Sequence, residues 1–119
     1  MSTQRITDLS YLKEITGGET AIMKEFIELF LEQIPEFRNE LRIHLQNRQW
    51  NELGKTAHKA KSSVMTFGLN DLGLHLKQLQ IKTQQLTDVD SFPADVETFE
   101  EIITTAEQEL REDLKNLQK

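Results

Sequence analysis

The 119-residue sequence contains no cysteine and only two prolines. Without cysteine, the chain has neither a disulfide framework nor a thiolate metal site. Long apolar runs are also missing, which excludes a membrane-spanning helix, and residues 1–10 lack the apolar centre of a signal peptide. We therefore expect a cytoplasmic protein. Its length predicts a single domain, residues 1–119, with a hydrophobic core of its own.

Several motifs for catalysis and binding are missing as well. No glycine-rich phosphate loop and no acidic cluster for Mg²⁺ is present, so we expect neither ATP binding nor self-phosphorylation, and no cofactor or resident metal. The net charge of −6 argues against a nucleic-acid partner. No alternation of apolar and polar residues between turn signals occurs, which predicts that the chain forms no sheet.

Apolar residues recur at helical spacing from the N-terminal part of the chain onward. They predict a short helix over residues 8–16 that Gly17 and Gly18 end. A second helix of about 28 residues begins near Glu19 and contains Pro35. A break into two helices before this proline is the alternative. The apolar period resumes directly after Pro35, however, which favours one bent helix.

The remaining pattern completes an all-α fold. Residues 47–49 form a turn, a third helix covers residues 50–67, and a fourth carries the leucines between residues 69 and 86. After a polar loop at residues 87–91, Pro93 suits the first turn of a last helix that runs almost to the C-terminus. The prediction is an antiparallel up-down-up-down four-helix bundle with a short N-terminal capping helix.

The third helix presents one histidine to solvent. His58 lies about 140° from the centre of the apolar stripe on this helix, so it points away from the core. Small residues, Gly54 and Ser62, stand one turn before and after it, and Lys61 follows three residues later. The imidazole is therefore accessible and has a cation beside it. The stripe consists of Leu53, Ala57, Ala60, Val64 and Phe67.

These residues resemble the motif of the histidine-containing phosphotransfer (HPt) domain family of multistep two-component phosphorelays. The family pattern is His-x-Leu-Lys-Gly-Ser, followed by glycine and a small or apolar residue ten and eleven positions after the histidine. The matching residues are His58, Lys61, Ser63, Gly68 and Leu69, and Leu79-Gln80 stands where the family often has Leu-Glu or Leu-Gln.

Two positions depart from the pattern. Ala60 replaces leucine on the buried stripe, and Ser62 replaces a glycine that lets the partner backbone approach closely. Serine is still small, so we expect the protein to keep docking but with a narrower range of partners.

The resemblance extends over nearly the whole chain and implies both fold and function. The implied fold is the four-helix bundle. The implied function is to shuttle a phosphoryl group between the aspartates of response-regulator receiver domains through a phosphohistidine at His58. Its partners would be those receiver domains and a hybrid sensor histidine kinase. The chain would be a monomeric phosphocarrier and not an enzyme in its own right. The start at Met1 and the lack of an attached linker favour a free-standing protein.

Each residue around His58 has both a functional and a structural interpretation. Lys61 is placed to offset charge on the phosphoryl oxygens, and Gln80, on the flank of the fourth helix, to hydrogen-bond toward His58. The docking surface is predicted to include Gly54, Lys55, Ser62 and Met65. The structural alternatives are that the lysines form an ordinary solvated helix face, that Gln80 is an ordinary surface amide, and that Met65 is covered by the second helix.

Two rival functions remain open from the sequence. One is a helical adaptor without phosphoryl chemistry. The other is a metal-binding four-helix bundle that uses His44 and His75 together with glutamates. Such bundles need Glu-x-x-His motifs, and no histidine here follows a glutamate by three residues, although His44 follows Glu40 by four. Both histidines are predicted to be surface or boundary residues.

Overall fold

The computed structural model describes residues 5–117, which form five α-helices and no strand. The helices are α1 Ser10–Thr16, α2 Thr20–Gln46, α3 Trp50–Thr66, α4 Asn70–Gln85 and α5 Phe92–Leu117, with a 3₁₀ turn at Val89–Ser91 before α5. The all-helical prediction is confirmed, and the helix boundaries agree within two residues. The 3₁₀ turn was not predicted. None of the described helices is long and apolar enough to cross a membrane.

Pro35 lies inside α2, which continues through it as one 27-residue helix. Proline has no N–H and clashes with the preceding turn, so it would favour a break in an isolated peptide. The buried side chains Ile34 and Phe37 lie on either side of it and keep both halves of the helix against the same core. Tertiary packing therefore outweighs the local cost, and the predicted single helix is confirmed.

Each helix buries one apolar stripe in a common core. The whole stripe predicted on α3, from Leu53 to Phe67, is buried. Phe67 stacks on Phe30 of α2 with ring centroids 4.5 Å apart, and Trp50 meets Phe92 edge to face at 5.2 Å. Such aromatic pairs contribute about 0.5–1.5 kcal/mol each beyond the burial of their surface.

The long helices contact one another in a ring. α2 packs against α3 and α5, α4 packs against α3 and α5, and α1 contacts α2. Polar contacts support the outer faces: Arg38 of α2 donates to Thr104 and to Glu107 of α5.

The residues before α1 bind across to α5 and to the turn after α3. Arg5 forms a salt bridge with Asp113 at 2.5 Å. Glu109 accepts hydrogen bonds from the Thr7 hydroxyl and from the N–H groups of Ile6 and Thr7. The Asp8 N–H donates to the Phe67 carbonyl at 2.9 Å. We call residues 5–8 the N-terminal tether.

The tether explains the glycine at the end of α3. Gly68 has a φ of +78°, a conformation that favours glycine. A Cβ at this position would also lie 2.6 Å from the Cβ of Asp8. The glycine thus allows both the left-handed backbone conformation of the turn and the close approach of the N-terminal tether.

Candidate functional site

His58 is exposed on α3 and lies beside Gln80 of α4. The imidazole Nδ1 and the Gln80 Oε1 are 3.3 Å apart. An amide oxygen only accepts hydrogen bonds, so in a neutral imidazole this contact favours the tautomer in which Nδ1 carries the proton. The lone pair is then on Nε2. The site therefore presents one oriented nitrogen that is able to act as a nucleophile.

The position of Gln80 depends on a close approach of α4 to α3 at Gly54. A Cβ at residue 54 would collide with Thr83 Oγ1. The Thr83 hydroxyl in turn donates a hydrogen bond to the backbone carbonyl of Gln80 at 2.6 Å. Gly54 was predicted to lie on the exposed face as a docking residue. It is buried instead, because α4 covers it, and its visible role is to let the two helices meet.

Met65 also lies against α4. A Cβ at Gly73 would be 2.6 Å from Met65 Cγ, so this glycine makes room for the methionine. Met65 remains 38% exposed. The structural alternative that placed it beneath α2 is wrong, because its neighbour is on α4. We call the surface strip where α3 meets α4, from Gly54 past His58 to Met65, the α3–α4 groove.

The basic patch around His58 is smaller than the sequence indicated. Lys55 pairs with Glu52 at 3.6 Å, and Lys59 pairs with Glu40 of α2 at 3.3 Å. Within residues 5–117, Lys61 forms no ion pair, and it is partly buried. Of the three α3 lysines around His58, Lys61 is therefore the one whose charge is not offset by a carboxylate of the described residues.

Ser62 and Ser63 differ in their surroundings. Ser63 is partly buried and donates to Gln33 of α2 at 3.2 Å. Ser62 is exposed and lines a concavity of about 520 Å³ together with Met65 and with Tyr11 of α1. This concavity adjoins the His58 face on its α1 side.

A second concavity of about 610 Å³ surrounds His58 itself. The residues that line it come from three helices and include His44 of α2, Lys55 of α3 and Gln84 of α4. The sequence did not indicate that His44 shares this concavity, because periodicity within one helix does not show which neighbouring helix faces it.

The other two histidines bind protein groups. The His44 Nδ1 is 3.0 Å from Gln49 Oε1, and the His75 Nε2 is 3.1 Å from the backbone oxygen of Asp95. Both are partly buried. Across the part of the chain that the structure describes, no group of three histidine, aspartate or glutamate side chains is arranged to hold a metal ion.

Fold and site together define an all-helical protein in which one helix exposes a histidine and the next helix orients it. The family model of the Hpt domain matches residues 25–119, and the chain therefore belongs to the Hpt domain family. The family assigned from the sequence motif is thereby confirmed. Hpt domains are phosphocarriers in phosphorelays and interact with receiver domains and kinases. No curated protein and no solved structure matches the chain.

Proposed function

We propose that this protein carries a phosphoryl group on His58 between the aspartates of response-regulator receiver domains. The observation that carries the proposal is the exposed imidazole whose Nδ1 lies 3.3 Å from Gln80 Oε1. Membership of the Hpt family supports it. The proposed donors and acceptors are receiver domains, one of them part of a hybrid sensor histidine kinase, and the chain has no kinase activity of its own.

In the proposed step, His58 Nε2 attacks the phosphorus of an aspartyl phosphate. An N–P bond forms, the P–O bond breaks, and the aspartate leaves as a carboxylate. The proton on Nδ1 stays on the ring, so the ring gains positive charge as the bond forms. The Gln80 oxygen accepts the hydrogen bond from Nδ1 and stabilises that charge. The reverse step returns the phosphoryl group to another receiver.

Lys61 is the proposed charge partner of the phosphoryl group. It follows His58 by three residues on one helix, about 4.5 Å further along the axis. Within residues 5–117 it is not engaged by a carboxylate. Ser62, Met65 and Lys55 are the proposed docking residues, since all three are exposed beside His58.

We further propose that residues 1–119 form one domain in which α2 to α5 run up-down-up-down and α1 caps one end. The contacts between neighbouring helices support this order. Thr56 and Ser63 of α3 meet Glu40 and Gln33 of α2, so residue numbers rise on one helix as they fall on the other. The sequence-based expectation of a cytoplasmic monomer stays a prediction.

The test is a transfer assay with phosphorylated receiver domains and two histidine variants. His58→Gln is expected to abolish acid-labile, alkali-stable phosphate on the protein without changing its melting temperature, because the side chain is exposed. His44→Gln is the matched control, since His44 lines the same concavity. This variant is expected to load as much phosphate as the wild type. Mass spectrometry locates the phosphate. Loading of the His58→Gln variant, or a wild-type protein that stays empty beside charged receivers, would contradict the proposal.

A further inference from the structure

The α3–α4 groove has a fixed register. His58 lies beside Gln80, and further along the groove Met65 lies against Gly73. These two contacts are seven residues apart on each helix. Residue numbers rise from the first contact to the second on α3 and fall on α4, because the two helices are antiparallel. The residues between the contacts can therefore be paired by counting from either end.

This register places Lys61 and Lys77 at the same level along the groove, one on each helix. Lys61 follows His58 by three residues, and Lys77 precedes Gln80 by three. Both lysines thus lie about 4.5 Å along the helix axes from the His58–Gln80 contact, on the same side of it. Lys77 is exposed, and Lys61 is partly buried.

Both walls of the groove are free of acidic residues over this stretch. Neither residues 53–70 nor residues 72–87 contain aspartate or glutamate, although the protein as a whole has a net charge of −6. The other lysines of the two walls are paired with carboxylates from elsewhere, namely Lys55 with Glu52, Lys59 with Glu40 and Lys82 with Asp95. Among the described residues, Lys61 and Lys77 form no ion pair.

Two cations without a carboxylate partner at one level of a groove attract an anion that lies beside them. We propose that Lys77 is a second charge-stabilising residue for the phosphoryl group on His58 and acts from α4, at the level of Lys61 on α3. This inference rests on the proposed function of His58. It assigns the stabilisation of the phosphoryl group to both walls of the groove.

The test loads the protein with phosphoramidate, a small phosphodonor that needs no partner, and follows the phosphohistidine by ³¹P NMR as the pH is varied. Nearby positive charge favours the dianionic phosphoryl group and lowers the pH midpoint of its titration. Lys77→Gln is expected to raise this midpoint by about 0.5 pH unit, a threefold change of the size that one exposed charge pair gives. Lys77→Arg is expected to restore the wild-type midpoint.

Lys115→Gln is the matched control, because Lys115 is exposed on α5 and its loss changes the net charge equally. The midpoint of this variant is expected to stay at the wild-type value, and salt near 1 M is expected to remove the effect of Lys77→Gln. Equal midpoints for the Lys77 and Lys115 variants on a loaded His58 would overturn the role of Lys77 and leave the carrier function intact. A wild-type protein without phosphate on His58 would overturn both.

Discussion

At the scale of single residues, the contact between Gln80 and His58 is the most specific feature of the site. A histidine ring on a solvated helix face samples both tautomers, and only the one with a free Nε2 lone pair suits attack from that atom. Gln80 biases this choice from another helix, with its own backbone oxygen held by Thr83. The contact thus favours one orientation and one tautomer of the imidazole in the free protein.

Replacing Gln80 by leucine removes the acceptor and keeps a side chain of similar size. We expect phosphotransfer from a receiver to slow about two- to tenfold, because a single hydrogen bond contributes about 0.5–1.5 kcal/mol. Rapid-quench transfer assays measure the rate, and ¹⁵N NMR of the imidazole measures the tautomer ratio.

Gln84→Leu is the control for that change, since Gln84 lies one turn further along α4 and lines the same concavity. It is expected to leave both the rate and the tautomer ratio unchanged. Equal rates for the wild type and the Gln80→Leu variant would remove the positioning role of Gln80.

At the scale of helices, Gly54 decides how closely α4 approaches α3. Gly54→Ala places a Cβ against Thr83 Oγ1, and overpacking of this kind costs about 1–3 kcal/mol. The higher helix propensity of alanine offsets about 1 kcal/mol of this cost. We therefore expect a net loss of up to about 2 kcal/mol in the free energy of unfolding, measured by urea denaturation.

The same change in a Thr83→Ala background gives a sharper expectation. Without the Thr83 hydroxyl the steric cost is removed, and only the higher helix propensity of alanine relative to glycine remains. Gly54→Ala is therefore expected to be neutral or stabilising in this background. A double-mutant cycle without coupling between the two positions would show that the close contact does not determine stability.

Much of the fold was predictable from periodicity, but the partners across helices were not. The stripe on α3 and the continuity of α2 through Pro35 follow from the spacing of apolar residues along one chain segment. The burial of Gly54 and the pairing of Lys59 with Glu40 depend on which neighbouring helix lies alongside. Angular position on a single helix does not contain that information.

At the scale of the whole molecule, the N-terminal tether links residues more than a hundred positions apart in sequence. Burial raises the pKa of Glu109, but hydrogen bonds from Thr7 and Ile6 and the charge of Arg5 together outweigh it, so the pKa is lowered. The pKa of Arg5 is raised, chiefly by its hydrogen bond to Asp113. No periodicity signals such contacts, and the sequence did not predict them.

The lowered pKa of Glu109 gives a defined pH dependence. A carboxylate whose pKa is lower in the folded state contributes stability above its unfolded value of 4.5, and this contribution disappears as the pH falls through the folded pKa. We expect the free energy of unfolding of Glu109→Gln to be about 1.5–3 kcal/mol lower at pH 7, the range for hydrogen bonds to a charged group. Its melting temperature should then fall less than that of the wild type on acidification below pH 4.5.

Glu112→Gln provides the comparison, since Glu112 is exposed on the same helix. Its thermal melts between pH 3 and 7 should follow those of the wild type. Parallel pH profiles for the wild type and the Glu109→Gln variant would show that the tether contributes nothing through this carboxylate.

The salt bridge between Arg5 and Asp113 also brings the two ends of the described chain to one corner of the molecule. Neither end contributes to the concavity around His58. Adjacent ends are what allow a folded unit to be inserted into a loop of a host protein or to be circularly permuted. The two ends of the described chain therefore lie side by side, away from the concavity that His58 lines.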